Sequence, residues 1–308
     1  MRRIPTLLAL FLPALASAQN LPYWQDVNVT SVNADTRRAE TVWYADRADA
    51  LAKGFRESEN YVDLNGEWEF KYFDDHHTER DPASSWDKIR VPGNWEVQGY
   101  GVPIYVNQPY EFRPRDPQPP SLPEVFPAAL YHRLFSVPEG WAGRTVYLNL
   151  AGVKSGTYVY VNGKEIGYSE DSKNLARFDI TKALVEGDNE LLLKVYRYST
   201  GSYLECQDFW RISGIERDVY LSSENTPSKF GFSVVSTLDP TLSKGVFRLK
   251  MRAETPWRCS TNSSTAAEKP SPTPSTSSPG SWNPSPTPSP TCGNGAPRPR
   301  SSIPSSSA

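Results

Sequence analysis

Cysteine is scarce in this 308-residue chain: only Cys206, Cys259 and Cys292 occur, and just one of them, Cys206, lies between Gln19 and Thr255. A single thiol excludes a disulfide framework from that body and leaves no CxxC-type zinc site, so Cys206 reads as a buried unpaired thiol. Neither sign of charge is in excess, with 33 Lys and Arg against 35 Asp and Glu. Near-neutrality argues against a nucleic-acid partner. No run reaches the ~20 apolar residues of a membrane-spanning helix, so no membrane partner is expected. The sequence also lacks a G-x-S-x-G elbow, a phosphate-binding loop and a G-x-G-x-x-G turn, which removes three common enzyme classes. Histidine is limited to His76, His77 and His132. The adjacent pair reads as a polar loop after a strand rather than as metal ligands.

Proline is abundant instead, and it is unevenly placed. The 28 prolines are nearly twice ordinary usage, and between Pro256 and Ala308 twelve Pro, fifteen Ser and six Thr fill 33 of 53 positions. That stretch (256–308) has no Leu, Val, Met or Phe, so it cannot build a core and is expected to be disordered. At the other end, Arg2-Arg3, the apolar run Leu7 to Leu15 and the small residues Ala16-Ser17-Ala18 form the three parts of a secretory signal. Residues 1–18 are therefore expected to be a signal peptide, cleaved after Ala18, with a soluble secreted or periplasmic product.

An arm, 19–60, follows with scattered charges and one helix around Arg47 to Gly54; it is expected to lie across another surface. From Tyr61 onward short alternating or apolar runs read as strands: Glu67 to Phe73, Ala129 to Val137, Arg144 to Leu150, Thr157 to Val161, Leu191 to Arg197 and Asp218 to Leu221. Asn162-Gly163 supplies the positive φ that a tight type I′ hairpin requires. Many short strands joined by such turns predict an all-β fold, an antiparallel jelly-roll β-sandwich over 61–223. Two more strands, Lys229 to Ser236 and Gly245 to Arg252, begin a second sandwich at 224–255 that two strands alone cannot complete.

Two segments, Val91 to Tyr110 and Gly201 to Tyr220, are long loops stiffened by Gly, Pro and aromatic anchors, and they present amides and carboxylates suited to pairing with several hydroxyls at once. Trp95, Trp210 and Tyr203 within them read as core. Together with Leu64-Asn-Gly-Glu-Trp68, Val161-Asn-Gly163, Gly167-Tyr168 and Asp171-Ser172, these segments resemble the N-terminal sugar-binding domain of glycoside hydrolase family 2, in particular the β-galactosidases. The resemblance runs from about Pro22 to Ala253. It implies a galactose-binding-domain-like jelly roll, followed by an immunoglobulin-like sandwich that is only begun here, and then a catalytic (β/α)₈ barrel that this sequence does not contain.

What the resemblance implies for individual residues is limited to matching positions. Asn107 resembles the asparagine that reaches into the galactose pocket. Asp208 resembles the aspartate that contacts galactose and helps hold a sodium ion; magnesium belongs to the full-length family enzyme, and the chain alone is expected to need no cofactor. Cys206 stands where the family pattern has an acidic residue, which changes the local charge without touching Asp208. Both catalytic glutamates belong to the barrel, so no residue here is assigned as catalytic. The leading expectation is the sugar-binding part of a β-galactosidase-like enzyme, truncated or shifted in reading frame near Thr255, with a galactoside or related glycan as partner. The alternatives are a non-catalytic carbohydrate-binding module on a Ser/Pro-rich stalk and an assembly fragment forming a homo-oligomer through the arm.

Overall fold

The computed structural model describes residues 21–78, 85–106, 110–112, 116–205, 207–225 and 231–252. The signal segment 1–18, Asn107, Cys206 and the tail 256–308 lie outside the described residues. The chain divides into two compact units, Met1–Asn225 and Thr226–Ala308.

In chain order the strands are β1 (Ser31–Val32), β2 (Tyr61–Asp63), β3 (Gly66–Phe73), β4 (Asp87–Val91), β5 (Gly93–Asn94), β6 (Ile104–Tyr105), β7 (Ala128–Ser136), β8 (Thr145–Leu150), β9 (Val153–Lys154), β10 (Thr157–Val161), β11 (Lys164–Ser169), β12 (Ala176–Asp179), β13 (Asp188–Tyr196), β14 (Trp210–Arg211), β15 (Gly214–Ile215), β16 (Val219–Glu224), β17 (Gly231–Leu238) and β18 (Gly245–Arg252). A seven-stranded sheet runs β1-β11-β10-β13-β7-β3-β4, and a four-stranded sheet runs β12-β8-β16-β2. All of their pairings are antiparallel.

The two sheets are halves of a sandwich because one apolar cluster draws on both. Trp68, Phe70, Val159, Val161, Leu191, Leu193 and Val195 of the larger sheet share it with Leu148, Leu150, Phe178, Val219 and Leu221 of the smaller one. Strict alternation creates the shared face: in β10 Val159 and Val161 are fully buried while Tyr158 and Tyr160 are only partly covered. Each such buried Val, Leu or Phe contributes about 1.5–3 kcal/mol relative to exposure. The jelly-roll reading of the sequence is met by this arrangement. The Asn162-Gly163 turn also forms as expected, with φ of 51° and 72° and with Val161 paired to Lys164.

The arm is built onto this sandwich. Its helix α1 (Arg47–Ala52) starts at Asp46, whose side chain accepts from the Asp49 N–H at 2.9 Å. Strand β1 extends the seven-stranded sheet by pairing Ser31 with Ser169 and Val32 with Tyr168. Gly167 makes that approach feasible, since a Cβ there would come within 2.2 Å of the Val32 carbonyl oxygen. Trp24 closes a second aromatic cluster, packing edge-on to Phe126 at 5.3 Å and tilted against Tyr196 at 5.5 Å.

In the second unit β17 and β18 form one antiparallel hairpin, in register from Gly231 with Arg252 to Leu238 with Gly245. Asp239 organises its turn by accepting from the Ser243 and Lys244 N–H groups at 2.9 and 3.1 Å.

Candidate functional site

The two loop segments singled out in the sequence meet in the first unit, where short strands clamp them together twice. β15 pairs with β5 (Gly214 opposite Asn94, Ile215 opposite Gly93) and also with β9. β14 pairs with β6, setting Trp210 opposite Tyr105 and Arg211 opposite Ile104. Gly214, at φ +105°, lets the first clamp close: a Cβ there would lie 2.7 Å from Tyr131 Oη. The Trp95 N–H and the Asn94 amide then both donate to the Ser213 carbonyl at 3.1 Å.

Asp208 is carried to the surface of this clamp. It is exposed, and Tyr105 Oη donates to its Oδ1 at a long 3.5 Å. Among the described residues it forms no ion pair; Arg217 instead donates to the Lys173 carbonyl at 2.8 Å. Asn107, two positions beyond Tyr105 in sequence, lies outside the described residues.

Trp210 corrects the sequence reading, which took it as core. It is 53% exposed, beside the 57% exposed Tyr105, with ring centroids 5.4 Å apart at 52°. The reason is an inverted alternation in a two-residue strand. Arg211 turns inward and is 2% exposed; it donates to the Glu205 carbonyl at 3.3 Å and lies over the Phe209 ring, so Trp210 must face out. Trp95 is fully buried, as expected, and Tyr203 is half-buried against Tyr110 and Phe112.

Behind this surface lies a buried charge network that motif reading missed. Arg197 donates to Glu96 Oε1 at 2.8 Å, to Glu111 Oε1 at 3.3 Å and to the Arg211 carbonyl at 3.2 Å. Glu96 Oε2 also accepts from the Ser213 N–H at 2.8 Å, and Lys154 Nζ approaches Glu111 at 4.0 Å. Burial pushes the Lys154 ammonium below its ordinary range. A signal for Arg197 was present: Leu191, Leu193 and Val195 point inward, and period two continues that face to position 197. Glu205, whose carboxyl is raised by burial, is held by the Ser172 N–H at 2.9 Å and hydroxyl at 2.6 Å.

Glu170 anchors the loop that leads to Asp208. Thr200 and Tyr168 hydroxyls donate to its two carboxylate oxygens at 2.6 and 2.8 Å. Burial lifts its carboxyl above the ordinary value of 4.5, against the pull of those donors. The folded state therefore keeps a proton that the unfolded chain has already released, and stability falls as pH rises from 4.5 to the raised folded value. Glu170→Gln, which keeps one accepting oxygen and cannot ionise, is expected to gain stability relative to the parent as pH climbs through that window. Urea midpoints measured between about pH 4 and pH 8 check this; parallel pH profiles for the two proteins would contradict it.

The model of the glycosyl hydrolases family 2 sugar binding domain matches residues 61–225, more than half of the chain. A β-galactosidase of Priestia megaterium is 38% identical over 234 residues, which cover 73% of this chain and 23% of that protein. One of Halalkalibacterium halodurans is 37% identical over 239 residues, covering 74% of this chain and 23% of its own length. The chain thus spans about a quarter of these curated relatives. Among solved structures, a β-glucuronidase of an uncultured Clostridium species superposes with a TM-score of 0.48 and 20% identity, over 70% of this chain and 36% of that one. The chain belongs to the glycosyl hydrolases family 2 through the sugar binding domain at residues 61–225.

Proposed function

We propose that this chain supplies one edge of the substrate pocket of an exported β-galactosidase-like glycoside hydrolase. The observation that carries the reading is the exposed Asp208 carboxylate, set beside the exposed rings of Tyr105 and Trp210 while the neighbouring Arg211 is buried. Asp208 and Asn107 would accept from and donate to galactoside hydroxyls, and Trp210 or Tyr105 would lie against an apolar sugar face. A hard cation such as sodium suits the donors, because Asp208 Oδ1 and Tyr105 Oη are both oxygens; hard cations take about six, so water or another domain would complete the set. Retaining hydrolysis needs two carboxyl groups about 5–5.5 Å apart, and we place that pair in the part of the relatives beyond the matched quarter. Self-association through the arm is tested by sedimentation at several chain concentrations, and export by sequencing the mature N-terminus, expected at Gln19.

An edge alone should bind weakly. Each net hydrogen bond is worth about 0.5–1.5 kcal/mol, and lost translational freedom opposes them, so galactose affinity is expected to be millimolar or weaker. No galactoside turnover should accompany it. Calorimetric titration of the purified chain and of Trp210→Ala measures the first, and a chromogenic galactoside the second. Turnover that co-purifies through several columns would overturn the assignment. The exposed Tyr105–Trp210 pair also favours a second reading, a module that binds glycans unaided; micromolar binding lost in Trp210→Ala would select it.

A further inference from the structure

We infer that Asp75, His76 and His77, in the loop after β3, form a divalent-cation site of the zinc class. Sequence spacing alone treats this pair of histidines as a polar loop; the burial of His76 changes the reading. The His76 side chain is only 6% exposed, yet its Nδ1 has no hydrogen-bond partner among the described residues. A buried polar atom left unsatisfied is costly, and few are tolerated without a reason. The ring is not free to turn away from this state. It stacks on Phe126 at 4.0 Å and 19°, meets the edge of Trp24 at 5.3 Å, and its backbone N–H donates to the Phe126 carbonyl at 2.9 Å.

What the unpartnered nitrogen faces is a ligand set. Asp75 Oδ1 lies 4.0 Å from His76 Nδ1 and 2.9 Å from His77 Nδ1, and one donor atom from each of the three residues lies within 4.8 Å of the others. Asp75 shapes this turn, its Oδ1 accepting from the His77 N–H at 2.9 Å and its carbonyl from the Thr78 hydroxyl at 2.7 Å. Tetrahedral zinc, with bonds of about 2.0–2.1 Å, separates its donors by roughly 3.3 Å, so donors that lie within 4.8 Å of one another must draw in by up to about 1.5 Å at their widest. The residues that must move are the accessible ones: the side chains of His77 and Asp75 are 58% and 33% exposed, while His76 stays fixed. Two imidazoles and one carboxylate favour zinc and its borderline neighbours over magnesium or calcium, and water from the exposed side would take the fourth position. A bound ion would tie the end of β3 to the cluster of Phe126 and Trp24 that holds the arm. This site stands independently of the proposed sugar edge.

The test uses the whole chain, stripped with chelator and then titrated with zinc alone by calorimetry, with cobalt absorption as a second readout of coordination. Because His76 is in the core, the informative variants are Asp75→Asn and His77→Ala. The control is His132→Gln, since His132 is the third histidine and sits between Glu69 Oε2 at 2.5 Å and Glu190 Oε1 at 3.0 Å. The expected result is one equivalent of zinc, an affinity reduced at least about tenfold in each loop variant, and no change in the control. The cobalt spectrum of the parent should be lost in the same two variants. Failure of the parent to bind zinc, binding unaffected by both loop variants, or binding removed only by His132→Gln would each overturn the site.

Discussion

Asp208→Ala is expected to lower galactoside turnover at least about tenfold, corresponding to ~1.4 kcal/mol of transition-state stabilisation, while leaving folding stability within about 1 kcal/mol. The measurement uses a chimera in which residues 22–253 of this chain replace the matching 23% of the Priestia megaterium β-galactosidase. Stability should hold because the side chain is exposed and its hydrogen bond from Tyr105 is long, 3.5 Å, so removing it leaves no buried group stranded. Under the proposed edge role activity should fall, because a carboxylate there would bond to hydroxyls, and to any cation, most strongly in the aligned complex. Sodium dependence is the discriminating readout. A residue that only positions its loop would change kcat/KM without changing the response to sodium, whereas a direct ligand alters both. Asn107→Ala should lose turnover similarly with an unchanged sodium profile. Loss of folded chimera with activity per folded molecule preserved would make either residue structural.

Much of the fold could be read from residue order where strands are rich in β-branched, aromatic and other apolar residues bounded by turn residues. Thr157–Val161 and Gly245–Arg252 fall where the pattern put them, and the Asn162-Gly163 turn has the positive φ that its residues favour. Strands such as β4 and β12 escaped because they mix charge with few apolar side chains, as in Asp87-Lys-Ile-Arg-Val91 and Ala176-Arg-Phe-Asp179. The site was legible as two segments but not as a surface. Their mutual pairing depends on two-residue strands whose register is fixed only by tertiary contacts, and that register decides that Trp210 faces solvent and Arg211 the interior. The charge network was hidden for a related reason. Glu96, Glu111, Lys154 and Arg197 are distant in sequence, and side chains of these types are almost always at the surface, so composition gives no cue to their burial.

Arg197→Met should be the most destabilising of the substitutions considered, at about 3–5 kcal/mol, because it strands buried carboxylates without their cation. The side chains of Arg197 and Glu96 are 4% and 0% exposed, and Glu111 is 7% exposed. Methionine fills much of the same volume, so the loss reports charge rather than a cavity. Lys154 cannot substitute for the missing guanidinium, since its nitrogen stands 4.0 Å from Glu111 and burial already disfavours its charge. Urea unfolding of Arg197→Met, Glu96→Gln and the double variant gives the coupling directly. The double variant should be less destabilised than the sum of the singles, because each single leaves a partner unpaired that the double removes. The effect should also reach the surface: Arg197 donates to the Arg211 carbonyl, so its loss frees β14 and with it the Trp210 ring. Trp210 fluorescence, isolated by comparison with Trp210→Phe, is therefore expected to become more quenchable in Arg197→Met below its unfolding midpoint. A stability change under about 1 kcal/mol would mean that the carboxylates are neutral or hydrated in the folded chain, and that the network neither holds the fold nor shapes the site above it.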